Sequence, residues 1–217
     1  KTDRYQISRS DIALISTASA LHDIGKISIP GEVLNKPGRL TDAEYEIMKS
    51  HSVVGAQMMD NIPVHEDEPL VQVARAICRW HHERWDGRGY PDGLKGDEIP
   101  ISAQIVALAD VYDALTSERC YKKAFPHDTA VQMILDGQCG AFNPLLLECL
   151  TEVSAKLPGE MAANTGERVS RMEMRSVADE LHRHEELSAS ERTLQLLEHE
   201  RMKFSFFAAM SKEIRFE

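Results

Sequence analysis

The sequence predicts an all-α fold: a helical bundle followed by one long C-terminal helix. Three observations carry that reading. Apolar residues recur at helical spacing in segment after segment. Helix-start signals sit where those segments begin. Chain breakers are concentrated in two loops and are scarce within the periodic stretches.

The elements follow in order. Ile12, Leu14, Ile15, Ala18 and Leu21 form one helical face that runs directly into His22-Asp23. Ile29 to Gly38 is rich in Gly and Pro and reads as a loop. Thr41-Asp42-Ala43-Glu44 is a capping box, and the helix it opens carries Tyr45, Ile47, Met48 and His51. From Leu70 to His82 a third helix places Leu70, Ala74, Ile77 and His81 on one face, with Ala74, Cys78 and His82 on an overlapping one. Both histidines therefore extend an inward-facing stripe. Asp86 to Pro100 holds too many glycines and prolines for a helix. A fourth helix spans about Ser102 to Ser117, with Val106 one turn before Asp110. Pro126-His127-Asp128 starts a fifth, and Asn143-Pro144 a sixth that ends near Lys156.

Composition changes near Leu157-Pro158-Gly159 and suggests two parts, 1–157 and 158–217. From residue 158 onward 21 of 60 residues are charged, and Leu187, Leu194, Leu197, Phe204 and Ala208 keep a heptad-like spacing with Arg201 on the seam. This reads as a helical linker or coiled coil that leads to a further domain and offers a homodimer contact, or as a solvated helix packed on its own domain.

The chain has 217 residues, of which 42% are hydrophobic, enough to bury a core. No apolar run could span a membrane, and Lys1-Thr2-Asp3-Arg4 does not open a secretory leader. Cys78, Cys120, Cys139 and Cys149 show no CxxC spacing and read as reduced thiols of a cytoplasmic protein. The net charge of -10 disfavours binding to a long nucleic acid. A small phosphorylated ligand held by metals and local cations remains compatible with it.

Chemistry is concentrated in His22-Asp23 and His81-His82. An imidazole offers one nitrogen to a metal, while a carboxylate can bridge two ions. An HD dipeptide alone is weak, since His22 would also serve as a core histidine. Gly25 lets the backbone approach a ligand, and Lys26 supplies a cation for phosphate. Asp110 lies in the apolar run Ile105–Ala109, where an unpaired carboxylate is costly and a metal or Arg partner would relieve the cost. Asp113 reads as supporting its helix or orienting a neighbour of a ligand. Arg119 and Lys122 form a phosphate clamp or are two surface cations, with Tyr121 packing between them. His65, His127, His182, His184 and His199 carry no site signal.

These stretches together resemble the HD-GYP family of bacterial cyclic di-GMP phosphodiesterases. The resemblance rests on His22-Asp23-Ile24-Gly25-Lys26, His81-His82-Glu83 with Trp85-Asp86-Gly87, Gly89-Tyr90-Pro91, and Ala109-Asp110-Val111-Tyr112-Asp113-Ala114-Leu115-Thr116. Arg119, Tyr121, Lys122 and Gly140-Ala141-Phe142-Asn143-Pro144 match too, with Asn143 where the family more often has Asp. It covers roughly residues 10 to 155.

The resemblance implies an HD-domain helical bundle holding two or three divalent ions, iron or manganese. Its metal ligands would be His22, Asp23, His51, His81, His82 and Asp110, with Asp23 bridging. Lys26, Arg119 and Lys122 would hold substrate phosphate, and Gly89-Tyr90-Pro91 would shape the site and meet partners such as GGDEF proteins. Metal-activated hydroxide would attack phosphorus in line, with Asp23 and Lys26 in the catalytic centre and linear pGpG, GMP or both as product. One departure stands out. The family usually carries an acidic residue and a histidine some thirty residues before the HD pair, and only 21 residues precede His22. The resemblance thus implies a domain lacking its first helices. The alternatives are a catalytically incomplete signalling module and an HD phosphohydrolase of another nucleotide.

Overall fold

In the computed structural model, residues 5–61, 68–118 and 123–159 are described. They form seven α-helices: α1 (Arg9–Ser19), α2 (Gly31–Leu34), α3 (Asp42–Asp60), α4 (Pro69–Trp80), α5 (Ile101–Thr116), α6 (His127–Leu135) and α7 (Pro144–Val153). Two 3-10 helices, Ile24–Ser28 and Gly96–Glu98, accompany them, residues 157–159 are again helical, and no strand occurs among the described residues. The all-α expectation holds. The expected long C-terminal helix lies almost wholly outside the described residues.

α4 is the centre of the assembly and packs against α1, α3 and α5, while α6 and α7 extend the far side of α5. Its core face is short: Ala74, Ile77 and Cys78 are all fully buried. Small side chains there, with Ala18 on α1 and Ala56 on α3, let three helix backbones approach closely. α5 is apolar almost all round and lies inside the bundle, so Asp110 and Asp113 are carried into it by a helix with no solvent-facing stripe. At the far side Leu150, Ile134 and Leu157 close the core.

The caps explain why several elements start where they do. Thr41 Oγ1 accepts from the Glu44 N–H while the Glu44 carboxylate accepts from the Thr41 N–H, so both halves of the expected box form. Ser8 and Asp11 form a second box on α1. Asn143 caps α7 through Oδ1, which accepts from Leu145 N–H, and its Nδ2 donates to Gln104 Oε1 and to the Tyr5 hydroxyl. Aspartate at this position would keep the cap and lose those two donations.

Three expectations need correction. α1 stops at Ser19, so His22-Asp23 sits in a turn and not on the helix. α4 stops at Trp80; His81 is its C-cap and His82 lies beyond it. In the breaker-rich stretch from Ile29 to Gly38 a short helix, α2, forms after Pro30, whose carbonyl accepts from the N–H groups of Val33 and Leu34 at 2.9 Å each.

Candidate metal centre

Each candidate ligand is delivered by an element end or an inward helix face. After α1 the chain turns, with Leu21 N–H donating to Ala18 O and His22 N–H to Ser19 O. This turn points His22 and Asp23 toward α3 and α4. The 3-10 helix Ile24–Ser28 then lies directly on α3. A Cβ added at Gly25 would stand 2.0 Å from His51 O and 2.6 Å from Gly55 N. Gly25 therefore permits contact between two backbones, in place of the ligand approach expected from the sequence.

The cluster has two sides that share Asp23. Asp23 Oδ1 lies 3.4 Å from His51 Nε2 and 3.8 Å from His81 Nε2. Asp23 Oδ2 lies 3.2 Å from His22 Nε2 and 2.5 Å from Lys26 Nζ. Asp110 Oδ1 stands 3.9 Å from His22 Nε2. Asp23, His51, His81 and His82 each present a ligand atom within 4.8 Å of one another. Four of the six expected ligands, His22, His51, His81 and His82, thus lie around Asp23, and Asp110 stands beside His22.

Main-chain carbonyls settle which ring nitrogens face inward. His22 Nδ1 donates to Ser19 O at 2.7 Å, and His51 Nδ1 to Met48 O at 2.7 Å. His81 Nδ1 reaches Ile77 O at 2.9 Å and Cys78 O at 3.0 Å, taking up carbonyls left at the end of α4. A carbonyl only accepts, so each Nδ1 carries the proton, and neutral His51 and His81 turn an Nε2 lone pair inward. His51 Nε2 and His81 Nε2 are 3.4 Å apart. Two such lone pairs repel, and a cation between them reverses the sign. Ligand atoms about 2.1 Å from one ion stand about 3.0–3.4 Å apart, so the spacing suits a metal. The residues present fit a divalent ion.

Electrostatics agree with that reading. Burial disfavours charge on Asp23, yet His22 and the Lys26 ammonium outweigh it and hold the carboxyl well below its usual range. Burial pushes His81 far below an ordinary histidine, with His82 and His22 adding to the effect. It lowers His51 as well and brings His82 down to about 4. All three are neutral at pH 7, as ligands must be. Cys78 behind the cluster is pushed up to about 12 by burial and donates to Leu21 O, so it is an inert core thiol.

The Gly89-Tyr90-Pro91 loop lies against this cluster. The Tyr90 ring stacks on His82 at 4.8 Å and meets Tyr45 edge-on at 6.4 Å. Lys49 Nζ sits over both tyrosines, 5.4 Å and 5.7 Å from their centroids. Gly89 is needed for the approach, since a Cβ there would stand 2.4 Å from Arg84 N and Glu83 Cα.

Several residues around the site had no role in the sequence reading: Glu83, Asp92, Arg79, Trp80, Tyr45 and Lys49. Glu83 was legible as part of the His-His-Glu motif, and its burial at 5% exposure is what gives it a task. His127, read as unremarkable, bridges Tyr112 hydroxyl and Ser154 O within the α5–α6–α7 packing. Arg119 and Lys122 lie outside the described residues.

The family model described as HD domain matches residues 4–144. The chain belongs to the HD domain family. Within it, the motif resemblance to HD-GYP phosphodiesterases holds. The chain is 45% identical over 146 residues to a cyclic di-GMP phosphodiesterase of Vibrio cholerae serotype O1, covering 67% of this chain and 30% of the relative. It is 42% identical over 155 residues to the cyclic di-GMP phosphodiesterase response regulator RpfG of Xanthomonas campestris pv. campestris, covering 71% and 40%. A 3'3'-cGAMP-specific phosphodiesterase 2 of Vibrio cholerae serotype O1 is 40% identical over 148 residues, covering 68% and 28%. The chain thus spans well under half the length of the curated relatives it matches. No helix among the described residues is long and apolar enough to cross a membrane.

Proposed function

We propose that this protein is a metal-dependent phosphodiesterase that opens cyclic di-GMP to linear pGpG, GMP or both. The observation that carries the reading is the division of Asp23: one oxygen faces His51 and His81, the other faces His22 and Lys26. That arrangement suits a carboxylate shared by two ions. His51, His81 and His82 would hold one, and His22 with Asp110 the other, with iron or manganese as the metal.

Divalent ions in such a site supply Lewis acidity and lower the pKa of water. The chain's own residues do the rest. The carbonyl bonds at Nδ1 keep three imidazoles in the tautomer that points Nε2 inward. Lys26 holds Asp23 and brings positive charge to the edge of the cluster, where a phosphate oxygen would gain it. Arg119 and Lys122 belong to the same proposal as phosphate contacts. So do a bacterial cytoplasmic setting, a domain boundary near residue 157 and a homodimer through the C-terminal segment. Contacts of a GGDEF or other signalling protein with the Gly89–Pro91 loop complete it. Tyr90 is half-buried there, leaving the loop's outer edge for a partner.

A second cyclic dinucleotide is favoured by one observation: relatives named as 3'3'-cGAMP-specific match nearly as well as those named for cyclic di-GMP. The test is an anaerobic assay of the metal-loaded chain with Mn or Fe(II) against cyclic di-GMP, 3'3'-cGAMP and nucleoside triphosphates. Turnover of cyclic di-GMP supports the proposal, and preference for 3'3'-cGAMP replaces the substrate. Tight metal binding with no turnover of any of them would leave a signalling module and overturn the enzyme.

A further inference from the structure

We propose that Asp92 is a positioning residue for the His82 imidazole, acting through the loop that bears Tyr90. The inference rests on the reading of His82 as a metal ligand. His22, His51 and His81 are each oriented by an Nδ1 bond to a carbonyl three or four residues back. His82 is oriented differently, by the Tyr90 ring stacked on it with the planes 28° apart. Tyr90 N–H also donates to His82 O at 3.2 Å.

What holds Tyr90 there lies two residues further on. The Asp92 carboxylate accepts Arg79 Nε and Nη2, both at 2.8 Å, and Trp80 Nε1 at 2.7 Å. The main-chain N–H groups of Asp92 and Gly93 donate to Glu83 Oε1 at 2.7 Å and 3.0 Å. Arg79 and Trp80 end α4 just before the two histidines, and Glu83 follows them directly. Asp92 thus ties the loop to the chain on both sides of His82. These bonds fix the main chain from which the Tyr90 ring stacks on the imidazole.

The Arg79 and Asp92 side chains are 27% and 33% exposed. A pair so near solvent contributes little to stability, but its two-pronged geometry fixes direction. Orientation and stability are therefore separable by experiment. The full chain, stripped of metal, is titrated with Co2+ by calorimetry and followed by visible absorption, for wild type, D92N, D92A, Y90L and Y90F. Outer groups that orient a ligand are worth roughly 10–100-fold in metal affinity. D92N and D92A are expected to weaken the more loosely held Co2+ by at least about tenfold and to change its absorption. Y90L should do the same, the D92A/Y90L pair should add nothing beyond Y90L, and Y90F should retain wild-type affinity.

L150A serves as the control, since Leu150 is fully buried away from the cluster. It should lower Tm more than D92N does and leave Co2+ affinity unchanged. Wild-type Co2+ affinity in D92A, or additive losses in the D92A/Y90L pair, would overturn the positioning role. Failure of the wild-type chain to take up Co2+ would overturn the metal centre itself, and the positioning role with it.

Discussion

Gly25→Ala tests the packing on which the site depends. The added methyl would stand 2.0 Å from His51 O, 2.6 Å from Gly55 N and 2.8 Å from His51 C. All three are backbone atoms of α3, so no side-chain rotation relieves the clash. Restoring an ordinary 3.4 Å contact requires the 3-10 helix and α3 to part by about 1.4 Å. Overpacking of this kind costs typically 1–3 kcal/mol, and the upper end applies because backbone must move. For a chain of this size about 3 kcal/mol lowers Tm by roughly 6–12 °C. The same shift carries Asp23 and Lys26 away from His51, and a misplacement of about 1 Å at a reacting centre costs on the order of 10²-fold in rate. Thermal unfolding followed by circular dichroism, with phosphodiester turnover measured on the same preparations, checks both. Gly31→Ala is the control: its Cβ would meet nothing nearer than 3.9 Å, and its Tm should hold or rise slightly. A Gly25→Ala protein within about 1 °C of wild type and equally active would refute the close-approach argument.

Three further outcomes follow from the site and its supports. Asp23→Ala removes both faces of the shared carboxylate, so metal content measured by elemental analysis should fall below one ion per chain and turnover should be lost; retained metal would contradict the bridging role. Metal-free protein should lose stability on acidification. Burial holds His82 at about 4 against 6.5 in the unfolded chain, and His51 and His81 shift the same way. The unfolded state therefore binds more protons as pH falls through that window. Each histidine contributes at most about 1.4 kcal/mol per pH unit, less at partly exposed His82, and urea unfolding at pH 7, 5.5 and 4.5 reads the slope. A flat profile would rule out buried neutral imidazoles. Thr41→Ala removes the side-chain half of the capping box at α3 and should cost about 1 kcal/mol in urea unfolding, with metal affinity preserved; a loss of metal binding would show that the cap governs the site.

The helices and their starts were legible in the one-dimensional pattern. Thr41 and Glu44 predict their own cap because the interaction spans three residues. Ala74, Ile77 and Cys78 predict the buried face of α4 because helical periodicity is local. The motifs likewise marked His22, Asp23, His81, His82 and Asp110, which do converge. Helix ends were less legible. α1 was expected to carry His22-Asp23 and α4 to carry His82, yet both helices stop short, and the turns beyond them aim the side chains. Periodicity shows that a residue faces inward but not where the backbone leaves the helix. His51 had no local signal of its own, since its partners lie 28 and 30 residues away.

Local order along the chain was enough to announce a helical bundle with a metal-type ligand set. The division of Asp23 between two groups of imidazoles, the contact of Gly25 with α3 and the tie from Asp92 across His82 exist only after folding. Each depends on distances between segments that are far apart in sequence, and residue spacing carries no information about such distances. Packing of α3, α4 and the first turn around one carboxylate supplies it.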